Sequence, residues 1–265
     1  CDPSLPYDSA FQAPEKPGKH AISVSRPNFI ELCTRLTLED EKAFEHLWRY
    51  LGLSVDWTKT YATIDKRSQR VSQAAFLHHL RRGVAYQLEA PTLWDVDFRT
   101  AVAQAELEGR EQPGAYHRIR FGRPEGGHVE IETTRPELIP ACVALVAHPD
   151  DERYRPLFGS HVTTALFAAR VPVKPHHLAG PEKGSGIAMI CTFGDITDAT
   201  WWRELSLPVR AVNQPNGTFR PVTWGAPGWE SADVARAQQA YDQLANLSAA
   251  KARTSVVEML RASGD

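Results

Sequence analysis

The sequence is poor in most features that would classify a protein by composition alone. No apolar run reaches the roughly 18 residues of a membrane-spanning helix, so no membrane partner is expected. Only four cysteines occur, Cys1, Cys33, Cys142 and Cys191, and no two form a C-x-x-C pair. That spacing argues against a structural zinc site and a disulfide framework, and it fits a reduced, cytoplasmic setting. Net charge is only −2, so no global positive field recruits nucleic acid, and any such contact has to be local. A G-x-S-x-G nucleophile elbow and a Walker loop are both missing, and neither His78-His79 nor His176-His177 has metal-ligand spacing. No signal segment is legible. The start at Cys1 and the end at Gly264-Asp265, just past a helical pattern, suggest a piece of a longer chain.

What is present is ordinary globular material: 265 residues, 42% hydrophobic and 23% charged, enough for a sizeable core. Cys33, Cys142 and Cys191 lie in apolar context and read as small core residues. Residues 1 to 28 read as an extended arm. A helix capped by Thr37 follows, with Phe44, Leu47, Trp48 and Leu51 as its apolar stripe and Gly52 as its stop. Asp65 opens a second helix, with Val71, Ala75 and Leu80 inward and Gly83 at its end. Trp57 and Tyr61 are placed to pack the two helices together.

From about Gly114 the period shortens to two. YHRIRF and HVEIET alternate, and HVTTALF and ARVPVKP follow, with Pro172 and Pro175 marking strands at a sheet edge. GIAMICTF, residues 186 to 193, reads as a central strand buried on both faces. RPELIPAC, DDERYRP and DITDATWWREL are helical pieces between the strands, and helices return from Val234 to Leu244 and from Ala249 to Leu260.

Two stretches could carry chemistry. In EIETTRPELI a strand ends near Thr133, and Pro136 suits the first helical position. Thr133, Thr134 and Arg135 then form either a capped helix start or an anion- and carbonyl-binding corner. In PEKGSGIAMICTFGDITD, Gly184 and Gly186 allow close backbone approach of a ligand, and Lys183 and Ser185 supply polar contacts. Asp195 and Asp198 follow the buried strand. They read either as a capping pair or as carboxylates that hold an ammonium or orient a water. The carboxylates of HPDDERY read as serving a helix N-terminus.

Taken together, ETTRPELIPACVALVAHPDDERY and GSGIAMICTFGDITD resemble the two motif segments of the editing insertion in class I aminoacyl-tRNA synthetases. LSVDW, residues 53 to 57, is similar to an element of the synthetase core, and the wording of RPELI and HPDDERY is closest to the valyl branch. LWDVDFRTAVAQAELE sits where relatives often carry zinc-binding cysteines; Asp95 and Phe98 stand at those places, so no zinc is expected. The sequence departs from the family pattern at Leu138, Met189 and the Cys191-to-Gly194 stretch.

The resemblance implies an α/β fold: a compact, mixed-sheet, β-barrel-like editing domain with short helices, flanked by helical segments of the synthetase core. The implied division is an arm and core flank over 1–108, the editing domain over 109–228 and returning helices over 229–265. No H-I-G-H-like or K-M-S-K-S-like motif occurs, so amino-acid activation is not expected of this segment. No cofactor is expected either, ATP and magnesium belonging to the full-length enzyme. The implied reaction is hydrolysis of the ester in mischarged Thr-tRNA(Val). The implied partners are the tRNA(Val) 3′ end, the threonine moiety and the rest of the synthetase chain. Asp198, Asp195 and Thr134 would be catalytic, and Thr133, Arg135, Lys183 and Ser185 would bind substrate. The alternatives are the isoleucyl or leucyl editing domain, or a non-catalytic tRNA-binding or assembly module.

Overall fold

The computed structural model describes every residue except Glu15, Pro17, Lys19, Ala21, Glu89, Ala90, Gln112 and Asp195. The chain divides into two compact units, Cys1–Gln87 and Leu88–Asp265.

In the first unit the arm is tied to the start of helix α1 (Arg26–Tyr50) by a bridge between Asp2 and Ser25. Ser25 caps the helix, its Oγ accepting from the Asn28 N–H at 3.3 Å, and Pro27 sits in the first turn, where a missing N–H costs nothing. The helix therefore begins well before Thr37. That residue lies mid-helix and turns its hydroxyl back to the Cys33 carbonyl at 2.8 Å, the i−4 bond that competes with a capping role. Gly52, with φ of 77°, ends the helix as the sequence suggests.

Asp65 caps α2 (Lys66–Arg81) through a 2.6 Å bond from the Ser68 N–H. None of α2 is buried: Val71, Ala75 and Leu80 are exposed rather than inward, and Cys33 is also exposed. Trp57 does pack on α1, its ring 6.5 Å from Trp48 and 4.6 Å from the Arg49 guanidinium, whereas Tyr61 stays exposed.

The second unit opens with a short hairpin, β1 (Trp94–Asp95) and β2 (Thr100–Ala101). Six strands then form one mixed sheet: β3 (His117–Gly122), β4 (His128–Thr133), β5 (Ala144–Ala147), β6 (His161–Thr163), β7 (Arg170–Pro175) and β8 (Ile187–Ile190). Their order is β4-β3-β6-β7-β5-β8, antiparallel except for β5 with β7. The two outer strands, β4 and β8, approach each other, so the sheet nearly closes into a barrel. The mixed α/β, barrel-like architecture is the one anticipated.

Two strand assignments are corrected. Strand β7, with its prolines, lies inside the sheet. Pro172 is tolerated because pairing with β5 starts one residue later, at Leu145 with Val173, and Pro175 is the strand's last residue. Strand β8 lies at one end of the strand order instead of its middle, and Ala188 and Met189 are only partly buried.

Alternation places Leu145 and Ala147 in the main core while Val143, Ala144, Val146 and Ile190 face a second cluster. That second cluster receives Trp201 from α3 (Ile196–Glu204). Helices α4 (Val234–Asp242) and α5 (Ala249–Ser263) close the main core. Ala252, Val256 and Leu260 recur at i, i+4 and i+8 along the buried face of α5. Cys142 and Cys191 are buried core residues, as their apolar context suggests.

Candidate functional site

The corner after β4 is built from both directions. Pro136 starts a short 3-10 helix, Pro136–Ala141, and Thr133 Oγ1 accepts from the Arg135 N–H at 3.0 Å. Arg135 Nη1 donates to the Gly194 carbonyl at 2.8 Å, joining this corner to the loop after β8. Glu137, fully buried, receives two bonds from Arg253 on α5, from Nε at 2.9 Å and from Nη2 at 2.8 Å. Arg135 Nε lies 3.5 Å from the same carboxylate. A buried carboxylate is stable only when paired, and this fork-on-fork pair is the strong geometry. The glutamate of R-P-E is therefore spent on holding the corner to α5, and it raises the Arg253 pKa through the same bonds.

A second brace fixes the glycine loop. Asp151 is buried and accepts from Arg153 Nε at 2.9 Å and Nη2 at 2.7 Å, and Nη2 also donates to the Pro181 carbonyl at 2.9 Å. Tyr154 donates its hydroxyl to the Ser185 carbonyl at 2.6 Å. In HPDDERY, then, Asp151 serves the 181–186 loop through Arg153, not a helix N-terminus. The Arg153 hydrogen bonds hold the Asp151 carboxyl below its ordinary pKa, and burial pushes Tyr154 up. Gly186 has φ of 82°, and a Cβ there would fall 2.7 Å from the Pro181 carbonyl oxygen, so only glycine fits.

Strand β8 delivers the third wall. After it, Thr192 adopts φ of 54°, strained for a β-branched residue, and is held by a 3.1 Å bond from the Arg210 N–H to its hydroxyl. Arg210 is itself buried, donating to the Cys142 and Gly228 carbonyls, and burial lowers its pKa. The chain then turns so that Asp198, buried in the first turn of α3, accepts from the Gly194 N–H at 2.9 Å through Oδ2. The Cys191 N–H approaches the same oxygen at 3.4 Å. A Cβ on Gly194 would sit 2.5 Å from that oxygen, so the glycine admits the carboxylate.

These walls enclose a cavity of about 440 Å³. It brings together Thr133, Thr134, Arg135, Lys183 and Asp198, contributed by three separate segments. Leu138, Met189 and Cys191 form an apolar part of its lining. Ser185 is not among the lining residues. Its hydroxyl donates to the Ile187 carbonyl at 3.1 Å, and it faces a second, open groove beside Arg118, Arg123 and His128. Asp195 lies outside the described residues. Tyr116, Thr197 and Trp201 also line the cavity and were not singled out from sequence. For Trp201 the available signal is its i+3 spacing from Asp198, and for Thr197 its i−4 spacing from Trp201; Tyr116 gives none, since it only precedes a strand. Among the described residues no group of histidine, cysteine, aspartate or glutamate side chains is arranged to hold a metal ion.

Comparison of the sequence with known proteins places the chain in a family. The model for tRNA synthetases class I (I, L, M and V) matches residues 9–249. A valine--tRNA ligase of Thermobifida fusca is 61% identical over 266 residues, covering 100% of this chain and 30% of the relative. One from Leifsonia xyli is 60% identical over 272 residues, with 100% and 31% covered, and one from Cutibacterium acnes is 55% identical over 266 residues, with 100% and 30% covered. The chain thus spans about a third or less of these curated relatives. Among solved structures, the Agrobacterium radiobacter K84 LeuRS–tRNA–LeuAMS ternary complex matches at 16% identity with a TM-score of 0.39, over 87% of this chain and 35% of that one. By the extent of the family match, the chain belongs to the class I tRNA synthetases of the I, L, M and V group.

Proposed function

We propose that this chain is the proofreading segment of a valine–tRNA ligase and hydrolyses the ester of Thr-tRNA(Val). The observation that carries the reading is the cavity itself, where a hydroxyl-bearing corner, a lysine rim and a buried carboxylate converge from separate motifs. The full-chain identity to the valine--tRNA ligases supports the choice of substrate family.

Valine and threonine are near isosteres, and a hydrophobic pocket rejects an added hydroxyl poorly. That pair is a known instance of the limit, not a result of this structure. A second, hydrolytic site relieves it. An aminoacyl ester is already activated, so a positioned water and stabilisation of the tetrahedral oxyanion suffice without a protein nucleophile.

In this reading Asp198 anchors the α-ammonium of the aminoacyl group. Asp195 takes the threonine hydroxyl or orients the water. Thr133, Thr134 and Arg135 meet the ester, the ribose or the terminal phosphate, and Lys183 reaches from the rim. Tyr116, 64% exposed at the cavity, offers the aromatic face on which an unstacked terminal base would lie. Leu138, Met189 and Cys191 receive the methyl side of the threonine. The exposed apolar stripes of α1 and α2 are surfaces that the rest of a longer synthetase would cover.

The test is direct. The chain is mixed with Thr-tRNA(Val) and with Val-tRNA(Val), and loss of each ester is followed. Selective loss of the threonyl ester supports the reading; persistence of both esters leaves a non-catalytic tRNA-binding module.

A further inference from the structure

One imidazole outside the cavity grips two of its walls. Asp198, Trp201 and Glu204 recur every three residues and form one stripe along α3. His176, just past β7, engages two members of that stripe. Its Nε2 lies 2.7 Å from Glu204 Oε2, and its Nδ1 accepts from the Trp201 indole N–H at 3.1 Å. The same Nδ1 accepts from the Leu178 N–H at 3.1 Å, and the His176 N–H donates to the Ala147 carbonyl at 2.9 Å. Two donors aimed at Nδ1 place the ring proton on Nε2, where it is donated to Glu204.

The side chain is 11% exposed, and its partners come from two separate segments of the chain. Leu178, Ala179 and Lys183 line the cavity from the segment after β7, Asp198 and Trp201 from α3. Trp201 is 7% exposed, with its indole N–H committed to this ring.

We propose that His176 is a positioning residue: by accepting from the Trp201 indole and the Leu178 amide at one nitrogen, it fixes the separation between α3 and the 178–183 segment and so the placement of Asp198. The proposal rests on the proofreading reading for its catalytic consequence. It takes no part in proton transfer to substrate, since it does not line the cavity.

The two ring nitrogens can be separated by substitution. Asparagine puts an acceptor near the Nδ1 position and leaves the Glu204 contact empty; glutamine reaches the Nε2 position and cannot accept at Nδ1. His176→Asn keeps kcat for Thr-tRNA(Val) hydrolysis within about threefold of the native chain. His176→Gln lowers kcat roughly 10- to 100-fold, the scale of a 1 Å misplacement, with KM changed little. In parallel, the Trp201 indole N–H stays protected from solvent exchange in the native chain and His176→Asn, and exchanges faster in His176→Gln. Native-like kcat and a protected indole in His176→Gln would overturn the proposal. Absence of hydrolysis by the native chain would instead overturn the proofreading reading together with the catalytic role of His176, and indole exchange would still report separately whether the ring holds α3.

Discussion

At the scale of single residues the account turns on Asp198. Its carboxylate is buried yet lines the cavity, and a glycine four residues earlier is what lets it fold back. Asp198→Asn, which keeps an acceptor for the Gly194 N–H, should fold normally by circular dichroism and lose threonyl-ester hydrolysis by roughly 100-fold or more, since it removes the charge that fixes the ammonium. Gly194→Ala should reproduce that loss with the carboxylate chemically intact, because the added methyl, 2.5 Å from Oδ2, forces it out of place. Deacylation assays on both variants check this, and an active Asp198→Asn would remove the residue from the site. Much of this corner was legible in the sequence. Thr133, Thr134, Arg135 and Lys183 share one cavity; proline and glycine punctuation marks the two stretches, and only the family resemblance brings them together. Ser185 was misplaced because a residue between two glycines can point to either side, and here its hydroxyl closes on the Ile187 carbonyl.

At the scale of elements the cavity depends on braces that lie outside it. Arg253 on α5 and Glu137 in the 3-10 helix form one, and Glu137 is fully buried. Arg253→Met should cost about 2–4 kcal/mol in urea unfolding, below the range for a fully buried pair because the arginine is partly exposed and Arg135 remains nearby. The Asp151–Arg153 brace adds a pH dependence. The folded Asp151 pKa lies below the unfolded value of about 3.9, so its contribution is present above that value and is lost as pH falls through the folded pKa. Exchange protection of the 181–186 amides should therefore fall below about pH 4, and in Asp151→Asn it should be low already at pH 7. The Glu137–Arg253 pairing is not readable from sequence, since 116 positions separate the two residues. The strand order escaped for the same reason. An apolar run such as GIAMICTF reports burial, and a strand backed by a helix on one side and a cavity on the other is apolar at either place in a sheet.

At the scale of the whole molecule the two units differ in how their faces are used. The second unit holds the main core, from Ile119 through Leu260, while α2 buries nothing and α1 buries only Asn28. Helices without a buried face have little beyond local propensity to hold them. Amide exchange of this chain should be fast across Lys66–Arg81 and slow across β3, β4, β5 and β7; slow exchange in α2 would contradict that contrast. The sequence marks the second helix by its cap at Asp65 and both helices by their stops at Gly52 and Gly83, but it misses the start of α1 at Ser25, and an apolar stripe does not say whether anything covers it. The central claim concerns the cavity of the second unit, and one measurement tests it most directly: deacylation of Thr-tRNA(Val) and Val-tRNA(Val) by the chain, side by side at low salt. The account predicts hydrolysis of the threonyl ester at least roughly 100-fold faster than the valyl ester. Equal rates for the two esters, or no hydrolysis of either, would contradict it.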